Sequence, residues 1–186
     1  MNIVILGKPG SGKGTQAEIL SKKGNLYHFS TGDYFRKEMY LGTKLGKKVE
    51  QILKTPTLIP DELVNEIAKK VIMEHNHENI MFDGYPRTVA QARFLHGYLK
   101  KQINYVFLLD VSDEIALKRQ HNRQKKNPRA DSSSLEKLKS RLKIFKEMTE
   151  PLIEFYKKKN LFQIIDGESD IKTIARELER IVKCQQ

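Results

Sequence analysis

Gly7, Gly12 and Lys13 stand at the spacing G-x-x-x-x-G-K, inside the stretch GKPGSGKGT at residues 7–15. Glycines so spaced leave backbone N–H groups free to converge on phosphate oxygens, and the positive end of a following helix adds to the attraction. Lys13 then reaches the β- and γ-phosphates of a nucleoside triphosphate. Gly10, Ser11, Gly12, Lys13, Gly14 and Thr15 are therefore the expected triphosphate contacts. The Ser or Thr that usually follows the lysine is Gly14 here, which leaves Thr15 as the nearest hydroxyl for a phosphate or for Mg2+.

Arginine supplies the second chemical theme. Positions 36, 87, 119, 123, 129 and 141 are all arginine, and each lies in or beside a motif-like stretch. A nucleoside triphosphate carries about four negative charges at neutral pH and a monophosphate nearly two, the second phosphate pKa being about 6. Bringing them together demands cations on both sides of the transferred group, and the planar, permanently charged guanidinium binds phosphate bidentately. The acceptor phosphate is already ionised, so alignment and charge stabilisation suffice without a general base. Asp83 ends a strand-like run and is placed to hold Mg2+ through water, since Mg2+ keeps several waters and uses phosphate oxygens. Asp33 is expected to accept from nearby backbone N–H groups, and Asp110 to be structural.

These residues need a scaffold, and the hydrophobic pattern supplies one. NIVILG, LYHF, IMFDG, YVFLLD and LFQIID are short apolar runs, three of them ending in aspartate, as in strands buried on both faces. Between them, Ile171, Ile174, Ala175, Leu178, Ile181 and Val182 fall on one helical face, as do Leu135, Leu138, Leu142 and Phe145. Thr149 is expected to cap a new helix with Pro151 in its first turn, placing a break near Met148. Strands alternating with such helices predict an α/β fold with a parallel sheet covered on both faces. Residues 31–60 read as short helices broken by LGTKLG and KTPTLIP, and residues 119–131 as a polar, basic run; both are candidates for flaps over a site beyond the carboxyl ends of the strands.

Composition narrows the class. At 186 residues the chain suits a single domain with inserted segments. No apolar run approaches the ~20 residues of a membrane span, and no secretory leader is evident, which predicts a cytoplasmic protein. The only cysteine, Cys184, permits neither an internal disulfide nor a multi-cysteine zinc cluster. His75 and His77 have no supporting ligands nearby in sequence. A formal charge of +11 favours a polyanionic partner without choosing one.

The order and spacing of GKPGSGKGTQA, STGDYFR, DGYPRT with Gln91, and TEPLIEFY resemble the adenylate kinases, the ATP:AMP phosphotransferases, over essentially the whole chain. The resemblance implies a P-loop core with a five-stranded parallel sheet, an AMP-binding lobe at about 31–60 and a short lid at about 119–131. It implies ATP, AMP and ADP as ligands, Mg2+ as Mg·ATP, two ADP as product, a part in adenine nucleotide homeostasis, and no obligate protein partner, with a monomer as the default. Arg36 and Arg87 look like the pair that grips the AMP phosphate. Thr31, Leu58, Ile59 and Gln91 would form the adenine pocket, with Gly84 letting the chain pass close to the acceptor. Arg119 resembles the residue beside the adenine of ATP and Arg123 the one that reaches its phosphates; Arg129 and Arg141 would complete the clamp. Tyr85, where the family often has Phe, should pack.

The lid departs from the pattern. RADSSS offers Asp131 and then Ser132 where the family commonly has two aspartates, Pro128 replaces a frequent glycine, and Arg141 sits one residue late. Without cysteines the lid cannot be zinc-stapled. A pyrimidine monophosphate kinase is the nearest rival, and Thr31 in STGD argues against it. The N-K-x-D motif of a GTPase is absent. A nucleic-acid-binding protein would explain the charge, but the basic run lacks interleaved aromatics, and the arginines of the AMP half would go unexplained.

Overall fold

The computed structural model describes residues 1–55, 57–100, 102–126, 134–159 and 161–183. Five strands, β1 (Asn2–Leu6), β2 (Tyr27–Ser30), β3 (Ile80–Asp83), β4 (Tyr105–Asp110) and β5 (Phe162–Asp166), form one sheet in the order β2-β3-β1-β4-β5. Every pairing is parallel. Both faces are covered, and β1 shows why its sequence is apolar without alternation. Val4 and Leu6 join one core cluster, with Phe29, Phe82, Leu152 and Tyr156; Ile3 and Ile5 join the other, with Ala17, Phe107, Leu178 and Val182. Each such side chain, once buried, contributes about 1.5–3 kcal/mol.

The helices follow the expected alternation, with instructive differences. In α9 (Ile171–Lys183), Ile174, Ala175, Leu178 and Val182 are buried, whereas Ile171 starts the helix and is 55% exposed. In α7 (Leu135–Ile144), Leu138 and Leu142 are buried and Leu135, at the first position, is exposed. A helix needs about one turn before its apolar stripe meets the core. A new α-helix does start after Thr149 with Pro151 in its first turn, but the break before it takes another form than a capped one. Residues Phe145–Thr149 form a π-helical turn that runs on into α8 (Glu150–Lys157), and Thr149 makes no side-chain cap bond. Its hydroxyl donates instead to the backbone carbonyl of Arg87 at 3.3 Å, a tertiary use that local capping rules could not anticipate.

The segment 31–60 is more helical than expected. It contains α2 (Thr31–Tyr40), whose N-cap Ser30 accepts from Asp33 N–H, and α3 (Lys44–Ile52), whose N-cap Thr43 accepts from Gly46 N–H. Only residues 41–43 of LGTKLG interrupt the helices, because Thr43 restarts one at once. Residues 57–60 lead irregularly into α4 (Asp61–Glu74). The basic run is also largely helical: α6 (Asp113–Lys126) contains residues 119–126, and the remainder, with Pro128, Arg129, Asp131 and Ser132, lies outside the described residues, as does Cys184. Helices α1 (Lys13–Gly24) and α5 (Val89–Tyr98) follow β1 and β3. No helix among the described residues is long and apolar enough to cross a membrane.

The pairing of α3 on α2 depends on Gly46. A Cβ there would lie 2.1 Å from the backbone oxygen of Glu38, a rigid neighbour, whereas a Cβ on Gly97 of α5 would meet nothing within 4 Å. Gly46→Ala is expected to destabilise the protein by about 1–3 kcal/mol. Gly97→Ala is expected to stabilise it by about 0.4–1 kcal/mol through helix propensity and lost unfolded-state freedom. Urea unfolding of both variants checks this; equal effects would show that the α2–α3 contact is looser than described.

Candidate active site

The turn between β1 and α1 sits at the carboxyl edge of the central strand. Ser11 N–H donates to Lys8 C=O at 3.0 Å, closing the loop. Gly12, at φ +95°, takes a left-handed conformation that only glycine adopts without strain, and α1 starts with the next residue. The neighbouring β3 delivers Asp83 to the same edge, since Ile5 and Asp83 are in register. A Cβ on Gly14 would come 3.3 Å from Asp83 Oδ2, so the glycine that replaces the usual Ser or Thr gives the carboxylate its closest approach to the loop. Thr15, one residue on, is exposed.

Lys13 is the electrostatic centre. Its Nζ donates to Lys8 C=O at 3.4 Å. Burial lowers its pKa from 10.5 to about 8, Asp83 opposes that shift, and the nearby charges of Arg87, Arg141 and Arg123 reinforce it. Residues from the loop, β3, α6 and α7 thus crowd one place, and all of them belong to the set expected from sequence.

The acceptor-side residues converge as well. Gly84, at φ +74°, turns the chain after β3, and its carbonyl accepts from Thr31 Oγ1 at 2.9 Å and from Arg87 Nε at 2.8 Å. Arg87 is held at its backbone too: its N–H donates to Gln91 Oε1 at 2.7 Å, and its C=O takes the Thr149 bond. Arg36 lies over the first turn of α2, its guanidinium 3.1 Å from a Cβ placed on Gly32. It pairs with the Asp33 carboxylate, a partner that the sequence reading did not name. Leu58 and Ile59 are half-buried, and Ile59 packs against the larger core cluster. Tyr85 is fully buried against Phe29 and Phe82, and its hydroxyl donates to Asn65 Oδ1 at 2.8 Å.

On the donor side Arg119 Nη1 donates to Gly167 C=O at 2.6 Å and to Ser11 C=O at 3.2 Å, while Nη2 donates to Glu168 C=O at 3.2 Å. The guanidinium therefore ties the phosphate loop to the turn after β5. Arg123 Nη2 lies 3.4 Å from Gln120 Oε1, and Gln120 in turn donates to Pro9 C=O. Lys8 pairs with Asp113 at 2.6 Å, and the Lys8 and Lys146 ammonium groups hold that carboxyl below its usual range. Asp110 ends β4 and gives its C=O to Gly167 N–H at 2.8 Å.

Several residues of this region carry no motif in the sequence. Asp61 accepts from both Thr88 and Gln91, at 2.8 Å each, and His28 Nε2 lies 3.3 Å from Asp83 Oδ2. Thr149 and the turn at 167–168 belong with them. The proline before Asp61 marks a helix start, the one local signal available. Among the described residues no group of three or more His, Cys, Asp or Glu side chains is disposed to hold a metal ion.

A parallel sheet with a glycine-rich loop and lysine at its central strand, ringed by arginines from separate elements, defines a P-loop phosphotransferase. The family described as Adenylate kinase matches residues 5–161. Adenylate kinases are similar over nearly full length: that of Prochlorococcus marinus subsp. pastoris is 41% identical, covering 99% of this chain and 98% of its own. That of Flavobacterium johnsoniae is 39% identical over 98% of both chains, and that of Thermosipho melanesiensis 35% identical over 98% of this chain and 100% of its own. The chain belongs to the adenylate kinase family, the nucleoside monophosphate kinases that carry out phosphoryl transfer between ATP and AMP.

The lowered Lys13 pKa has a thermodynamic consequence. Between about pH 8 and 10.5 the unfolded chain binds a proton at this position that the folded chain has released. Unfolding free energy therefore rises with pH across that window. Relative to Lys13→Met, the wild-type protein is expected to gain stability toward the alkaline end. A difference that stays flat or falls in denaturant unfolding would show that Lys13 is not enclosed as described.

Proposed function

We propose that the ring of cations around Lys13 joins a donor and an acceptor nucleotide for direct, in-line transfer of the γ-phosphoryl of Mg·ATP to AMP, reversibly and without a phosphoenzyme. The observation that supports this reading is that the phosphate loop is flanked on both sides: Asp83, in register with Ile5, leads into the Gly84–Arg87 turn on one flank, and Arg119 of α6 bonds Ser11 C=O from the other, with Arg87, Arg141 and Arg123 all near enough to lower the Lys13 pKa. A cluster serving one nucleotide alone would not need both. Bound phosphates offset the mutual repulsion of these cations, and the charge on the moving phosphoryl group is greatest where they meet.

The roles divide by element. Gly10, Ser11, Gly12, Lys13, Gly14 and Thr15 cradle the ATP phosphates, with Arg119 beside the adenine and Arg123 on the phosphates. Arg36 and Arg87 take the AMP phosphate, and Thr31, Leu58, Ile59, Gly84 and Gln91 surround the adenosine. Arg141, with Arg129 from the lid, bridges the two. Closure of the 31–60 lobe and the 119–131 lid excludes water, which would otherwise accept the phosphoryl group. Asp83, beside Gly14, and the exposed Thr15 offer the hard oxygen donors that would hold Mg2+ arriving with ATP, and the ion would supply neutralisation of phosphate charge. A monomer acting in the cytoplasm fits this reading.

Arg87→Ala and Arg123→Ala are each expected to lower turnover by about 100-fold or more, with the fold retained. Steady-state ADP formation alongside thermal unfolding checks both. Near wild-type turnover in either variant would remove that residue from the assigned role.

A further inference from the structure

The Gln91 amide is held at both ends. Gln91 lies in the first turn of α5 and is 2% exposed. Its Nε2 donates to Asp61 Oδ1 at 2.8 Å, and its Oε1 accepts from Arg87 N–H at 2.7 Å. Neither partner can exchange roles, because an ionised carboxylate only accepts and a backbone N–H only donates. A glutamine amide ordinarily swaps its ends to suit a ligand. Here a half-turn would set N–H against N–H and oxygen against oxygen in a buried place, leaving four polar groups mispaired.

Asp61 is itself fixed. Its second oxygen accepts from Thr88 Oγ1 at 2.8 Å, and that hydroxyl also caps α5 by accepting from Gln91 N–H at 3.1 Å. The carboxylate therefore cannot turn away from the amide without giving up its bond to the hydroxyl that caps α5, the helix that carries Gln91.

We propose that Asp61 is a positioning residue that sets base specificity by locking the polarity of the Gln91 amide. This rests on the reading of Gln91 as the group that meets the acceptor base. After the two clamping bonds, Nε2 keeps one N–H and Oε1 one lone pair, a donor and an acceptor side by side. Adenine presents the complement, an acceptor at N1 and a donor at the 6-amino group. Guanine and hypoxanthine present N1–H and O6, the same geometry with reversed polarity, and uracil presents N3–H and O4. A free amide would serve either set; the locked amide serves the first and opposes the second. Cytosine shares the polarity of adenine on a smaller ring, so its exclusion falls to the dimensions of the pocket.

Wild-type protein tests the lock without mutation. Three acceptors of equal ring size are compared by kcat/KM: AMP, the monophosphate of unsubstituted purine riboside, which keeps N1 and lacks the amino group, and inosine monophosphate, whose polarity is reversed. One lost bond is expected to cost about tenfold, and reversed polarity at least a further ~10-fold, because polar groups are then opposed rather than merely unpaired. Inosine monophosphate accepted as well as or better than the purine riboside compound overturns the lock. In Asp61→Asn, whose amide can offer either end, the ratio of inosine monophosphate to AMP is expected to rise at least about fivefold. Gln91→Ala separates the two ideas. If it leaves that ratio at the wild-type value, Gln91 does not read the base and the underlying reading fails. If Gln91→Ala collapses the discrimination while Asp61→Asn leaves it intact, the base reading stands and the lock is wrong. Should Asp61→Asn fail to fold, the three-acceptor comparison still decides.

Discussion

Like charge held close together is the constraint on which the rest of the structure depends. Lys13 loses affinity for its proton through burial and through Arg87, Arg141 and Arg123, with Asp83 opposing the shift. Backbone and amide oxygens help to place the arginines around it. Gly84 C=O takes Arg87 Nε, the carbonyls of Ser11, Gly167 and Glu168 take Arg119, and the Gln120 side chain meets Arg123.

The strand order explains how separate elements reach one place. β1 is central, with β3 on one side and β4 on the other. Asp83 at the end of β3, with Gly84 and Arg87 in the turn beyond it, approaches the loop from the acceptor side. Helix α6, which succeeds β4 in the chain and carries Arg119 and Arg123, approaches from the donor side. The order thus brings the residues expected for the two nucleotides to opposite flanks of the loop, at the edge where open α/β sheets bind ligands. Thr149, in a π-helical turn of the last helical pair, joins them by bonding the carbonyl of Arg87. A π-turn adds a residue to the helix, and at this point it aims a hydroxyl at the site rather than capping a helix.

The residues proposed to touch phosphate stand out in the sequence because their pattern is local. The loop glycines and Lys13 lie within a few residues of one another, and the strands announce themselves as apolar runs. Arg87 and Arg36 were placed by short motifs. The residues that hold those groups were not legible, since Asp61, Thr88, Thr149 and His28 act across 27 to 62 residues through single polar contacts that leave no periodic trace. Local rules also misjudged boundaries. Thr43 restarts a helix inside LGTKLG, and Ile171 begins its helix before the stripe is buried.

The central claim is that one enclosed lysine is shared electrically by both nucleotides. Its most direct test is an NMR titration of the Lys13 side chain, selectively labelled, in the free protein, with Mg·ATP alone and with AMP alone. The account predicts a free-protein pKa of about 8, raised by either nucleotide added separately, because each brings anions toward the same ammonium. A Lys13 that titrates near 10.5 in the free protein, or that responds to Mg·ATP and not to AMP, would contradict it.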